Sequence, residues 1–172
     1  MSIKVKNLVI GGVLIAIGIL LPIMFHFYKI GGQIFLPMHL PVLIGGFLLP
    51  WELACIIGVA TPLLSFLFTS MPPIPTVFTM MVELFVYGLT VSILYRKFKL
   101  GIYKSLIFSM LAGRAASILS TWLIIGTLLN QPFGFQKVLY GLFVTGLPGI
   151  IIQLILIPIL VKFLLKPLKQ EK

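Results

Sequence analysis

Charge is what this sequence has least of: only 9% of its 172 residues are Asp, Glu, Lys or Arg, while 60% are hydrophobic. So little polar side chain cannot cover a water-soluble globule, and the mean hydropathy of +1.20 points the same way. The chain reads as an all-α integral membrane protein. Its 19.1 kDa leaves almost nothing outside a bilayer, which excludes a separate soluble catalytic or nucleotide-binding domain and predicts one membrane-embedded domain over residues 1–172. Any ATP-driven work must then come from partners.

Cysteine is nearly absent too. Cys55 alone can form no internal disulfide and no Cys-based metal motif, and inside an apolar run it reads as a small buried hydrophobe. Two histidines and one membrane glutamate make no recognisable ligand spacing such as HExxH, so neither a metal nor another cofactor is expected. The chain also lacks a GxSxG nucleophile turn, a GxxxxGK[ST] phosphate loop and a GxGxxG turn, which lowers the case for an enzyme. The start, MSIKVKNLVIGGVLIAIGILLP, has the basic and apolar regions of a signal peptide but no small-x-small cleavage site, so a retained first helix is expected.

Apolar runs place six helices near residues 7–28, 37–49, 52–69, 76–95, 103–129 and 136–165. The second is short and is separated from the third only by Pro50, Trp51 and Glu52, so it is either tilted or joined to the third as a broken element. Pro148 and Pro158 are expected to kink the sixth. The net charge of +10 is no mark of nucleic-acid binding, because the basic residues sit at the ends of apolar runs where they meet lipid headgroups. Of thirteen Lys and Arg, all but Lys29, Lys137 and Arg114 fall on one side when both termini are cytoplasmic, and this predicts that orientation.

Two charges stand apart, Glu83 and Arg114, each deep in an apolar run. Such groups are costly in a bilayer unless they face protein or a wet cavity. Counted from the cytoplasmic helix ends at 1.5 Å per residue, they lie at depths of roughly 18 and 15 Å, and Gln153 at roughly 18 Å, so the three share a level. Helical spacing puts Arg114, Ser117 and Thr121 on one face, with Ser120 at its edge, and Thr79, Glu83 and Tyr87 on another; both should look inward. Glu83 and Arg114 either pair with each other, fixing helix packing, or offer a fork and an acceptor to a ligand. The connections FHFYKIGGQIFLPMHLP and TSMPPIPT are rich in helix-stopping residues and would shape loops over an outward-facing pocket, or simply join helices. His39 would touch a ligand there or cap a helix; Trp122 and Tyr140 would wall a ring or anchor at the interface. On the first helix Gly12 and Ala16, beside Gly11 and Gly18, form a small-xxx-small stripe that suits close helix approach.

The segments FLPMHLPVLIGGFLLP, GVATPLLSFLFTSMPPIP and VELFVYGLTVSILYRKF, in a tiny basic six-helix chain, resemble the substrate-binding S components of energy-coupling factor (ECF) transporters along nearly the whole length. The resemblance implies a multi-pass protein of a prokaryotic plasma membrane that binds a vitamin and joins a transmembrane coupling subunit and two cytoplasmic ATPases. It implies docking through an AxxxA-like stripe, with Gly12 departing from the usual alanine and Ala16 in place. It implies a ligand toward the outer side, against Gln33, Phe35 and His39 from the loop and Glu83, Tyr87, Arg114 and Trp122 from the helices, with release inward by toppling. Gln153 joins these by its depth. A carboxylate suits Arg114, so pantothenate or niacin is a natural guess; a cobalamin precursor is also open. Other classes are a small intramembrane enzyme using Glu83, His39 and Arg114, and a structural subunit of a membrane complex.

Overall fold

A computed structural model describes residues 3–28, 31–129 and 134–170. Among them there is no strand. The helices are α1 (Ile3–Phe27), α2 (Gly32–Phe35), α3 (His39–Leu48), α4 (Trp51–Thr69), α5 (Thr76–Ser92), α6 (Ile102–Thr121), α7 (Phe135–Leu139) and α8 (Leu147–Gln170). α5, α6 and α7 run on as π-helical stretches over Ile93–Lys97, Trp122–Leu128 and Tyr140–Thr145. Five helices are long and apolar enough to cross a membrane, and α3 is a sixth, shorter apolar helix.

Glycine sets how closely these helices approach. On α1, Gly11 meets Ile57 and Gly18 meets Pro41 and Thr61, while α3 places Gly45 against Leu14. Hence α1 runs parallel to α4 and antiparallel to α3. Between α4 and α5 the backbones themselves touch: a Cβ at Gly58 would collide with the Leu84 carbonyl, and one at Gly88 with the Ala54 carbonyl. At Gly113 of α6 the space a side chain would take is filled by the Tyr87 ring of α5. Around these seams Val42, Leu43, Phe47, Leu84, Leu106 and Ile157 form the apolar core.

The second predicted span is α3, and its ten residues cover only about 15 Å at the helical rise. Its C-terminal end is fixed where α5 ends: Ser92 Oγ donates to the Leu49 carbonyl at 3.0 Å and Arg96 Nη1 to the Leu48 carbonyl at 3.0 Å. These contacts satisfy carbonyls that a helix end leaves free. Its other end, at His39, therefore starts near mid-bundle, and the chain between α1 and α3 dips inward instead of crossing above the helices. The same register puts Lys4 and Lys6 at the start of α1, Arg96 and Lys97 beyond α5, and Lys104 at the start of α6, all at one end of the bundle.

The sixth predicted span is a correction. Residues 136–165 are not one continuous helix; a turn at Gly146, with φ of −80° and ψ of −1°, separates the π-helical stretch Tyr140–Thr145 from α8. Pro148 sits in the first turn of α8, where its missing N–H costs nothing, so it starts a helix rather than bending one. Pro158 does lie inside α8.

Candidate polar site at mid-bundle

Glu83 lies on the inward face of α5 with Thr79 one turn before it and Tyr87 one turn after, all buried. Arg114 lies on α6 with Ser117 and Ser120, also buried. The two charged residues hold each other: Arg114 Nη1 is 2.9 Å from Glu83 Oε1, and each residue is only 3–4% exposed. Tyr87 donates its hydroxyl to the same oxygen at 3.1 Å. The inward faces expected from helical spacing hold for Thr79, Glu83, Tyr87, Arg114 and Ser117, whereas Ser120, expected at the edge, is buried and Thr121 is only half-buried.

His39 arrives from a third direction. The inward dip of the chain carries it, 3% exposed, to the first residue of α3, where Nε2 stands 3.5 Å from Glu83 Oε1. That contact is electrostatic rather than a formed hydrogen bond, and neither ring nitrogen has a hydrogen-bond partner. The ring packs edge-on to Tyr87 with centroids 5.5 Å apart.

Over this cluster lies α2. Gln153 of α8, wholly buried, donates Nε2 to the Leu36 carbonyl at 3.5 Å and leaves its Oε1 unpartnered. Leu36 has φ of +51°, a left-handed backbone that a branched residue adopts at a cost of roughly 1–2 kcal/mol. Gly149 lets the N-terminus of α8 press against the Ile34 and Phe35 carbonyls. Phe35 also stacks at a tilt on Phe25, centroids 5.6 Å apart. Gly146 stands where the cover, α8 and the arginine meet: a Cβ there would lie 3.3 Å from Leu36 Cδ1 and 3.5 Å from Arg114 Nη2.

Glu83, Arg114, His39 and Tyr87 therefore converge directly, and Gln153 joins through Leu36. Phe35 belongs to the cover. Gln33 falls within α2, but its side chain lies outside the described residues. Trp122 is not brought to the cluster: 46% exposed, it lines an open apolar groove of about 420 Å³ with Ala115, Ile118, Leu119 and Phe135. Tyr140 is exposed as well. Gly12 and Ala16 point out of the bundle, with nothing within 4 Å of the Gly12 position, whereas Gly11 and Gly18 face in. Leu36 and Gly146 escaped the sequence reading. The triplet Gly146-Leu147-Pro148 carried a signal for the latter, since proline in a first turn marks a helix start.

Chemically, the arrangement is a compensated ion pair with spare hydrogen-bonding capacity, enclosed and away from water. A family model described as ECF transporter, substrate-specific component, matches residues 6–161. No curated protein and no solved structure matches the chain.

Proposed function

The chain belongs to the ECF transporter substrate-specific components, membrane proteins that serve transport rather than catalysis, and from that membership we propose that it is a single-domain receptor for a vitamin or vitamin precursor. Pantothenate, niacin and cobalamin precursors are the compounds weighed. It works in a prokaryotic plasma membrane with both termini cytoplasmic, delivering its ligand through a transmembrane coupling subunit and two cytoplasmic ATPases that hydrolyse ATP. The gathering of basic residues at the bundle end that holds the start of α1 supports the orientation.

The observation that carries this reading is the buried cluster of His39, Glu83, Tyr87 and Arg114, whose polar atoms exceed what the pair needs to hold itself. It lies beneath a short covering helix that other side chains, not continuous helix, hold in place. Leu36 and Gln153 form the latch between cover and bundle. The outward stripe of Gly12 and Ala16 supports docking on the coupling subunit, because it is free of internal packing.

The test is mass spectrometry of compounds released from gently purified protein, with binding titrations on Arg114→Ala and Glu83→Gln. A stoichiometric small molecule, lost from folded variants, is the expected result. Unchanged affinity in both variants would remove the cluster from the binding site.

A further inference from the structure

The cluster offers donors that its own acceptors cannot use. Arg114 is 4% exposed, gives Nη1 to Glu83, and among the described residues has no partner at Nε or Nη2. Those two nitrogens lie on the same edge of the guanidinium plane, so their N–H bonds point the same way in a ready fork. Glu83 cannot turn to meet them without releasing what it already holds, Nη1 at 2.9 Å and the Tyr87 hydroxyl at 3.1 Å. Among the described residues the other unpartnered buried side-chain atoms are Gln153 Oε1 on α8, an acceptor, and the two ring nitrogens of His39. Buried donors left without acceptors cost free energy, and guanidinium N–H groups cannot shed their protons to escape it.

Resting on the receptor reading above, we propose that the ligand carries a carboxylate that docks two-pronged on Nε and Nη2 of Arg114, with a hydrogen-bond donor elsewhere in the molecule for Gln153 Oε1. A carboxylate places two acceptors side by side, one for each N–H. A primary amide of the same shape places one acceptor and one N–H along that edge, so one arginine donor would face another donor. In enclosed apolar surroundings that mismatch is amplified, because no water is there to soften it. A Cβ at Gly146 would lie 3.0 Å from the Leu142 carbonyl oxygen, 3.3 Å from Leu36 Cδ1 and 3.5 Å from Nη2, so glycine keeps a side chain of its own off that edge.

The experiment compares acids with neutral partners of nearly the same shape on the wild-type chain in lipid nanodiscs: nicotinate against nicotinamide, and pantothenate against its alcohol. It is joined to identification of the compound released by the purified chain. The expected result is a released compound bearing a carboxylate, or an acid that binds about 100-fold more tightly than its neutral partner. Arg114→Lys keeps the charge but not the fork and should weaken that acid about 10- to 100-fold. Gly146→Ala should also weaken the acid while the Glu83–Arg114 pair stays formed. A released compound without a carboxylate, or equal binding within each pair, overturns the carboxylate assignment and leaves the receptor reading standing. No released compound together with no binding by any of the four overturns both. The acid-to-neutral comparison needs no variant, so misfolding of Arg114→Lys would not blunt it.

Discussion

The two walls around the polar cluster are built differently. On the side of α4 and α5, backbone lies on backbone at Gly58 and Gly88, one helical turn of contact apart, and Glu83 and Tyr87 project from that seam. On the side of α6, α7 and α8, the long path is interrupted at Gly146, α8 meets at Gly149 the backbone of the short cover rather than of a long helix, and the Trp122 groove stays open. Acid and base therefore stand on unequal footings. The acid rests on a wall that cannot shift without breaking contacts between main chains; the base faces the joint where short elements, a latch and a cover come together. On the receptor reading, movement that admits a ligand is expected at the second wall.

The contrast is most easily broken at the bridge between the walls. Glu83→Ala leaves Arg114 buried without its partner and should cost about 3–5 kcal/mol, read as a fall in the thermal unfolding midpoint in nanodiscs. Glu83→Leu with Arg114→Met should recover most of that loss while abolishing ligand binding, because a matched apolar pair removes the desolvation cost as well as the attraction. Next comes the rigid wall: Gly88→Val drives a side chain into the Ala54 backbone and should cost about 2–3 kcal/mol by the same measurement. On the other wall Gln153→Leu, which keeps the buried volume and removes one long hydrogen bond to Leu36, should cost at most about 1 kcal/mol of stability, yet it should speed ligand dissociation in a stopped-flow chase. If Gln153→Leu destabilises as much as Gly88→Val, the walls are equally fixed and the contrast fails. Smallest in stability is Gly12→Leu, within about 0.5 kcal/mol because the position faces outward, with ligand binding kept and uptake by the reconstituted transporter reduced.

Much of this was legible from spacing. The meeting of Glu83 and Arg114 follows from two helix ends and a fixed rise per residue, and the inward faces of α5 and α6 follow from the helical period. What stayed hidden shares one cause. A hydropathy run says that a segment is apolar, not how deep it starts, so α3 read as a short span and His39 as a residue near the outer edge; only the contacts of Ser92 and Arg96 with its far end show that it begins mid-bundle. Likewise Pro148 reads as a kink until Gly146 is seen to break the chain just before it. Trp122 lies in the π-helical stretch that continues α6, about two turns beyond Arg114, and its exposure fits the interface anchor that the sequence left open beside a ligand wall.

The outward side of α1 has a thermodynamic character of its own. Val5, Leu8, Val9, Val13 and Leu20 are all exposed on it, around the bare patch at Gly12 and Ala16. In a bilayer that side is already solvated by lipid tails, so a partner helix laid on it exchanges one apolar neighbour for another and gains no hydrophobic free energy. Its departure exposes nothing to water. What favours contact is only the closer approach of two backbones over the small residues, a short-range gain lost over a fraction of an ångström. A joint of that kind is reversible by construction: separation costs only that short-range packing gain and no exposure of apolar surface to water.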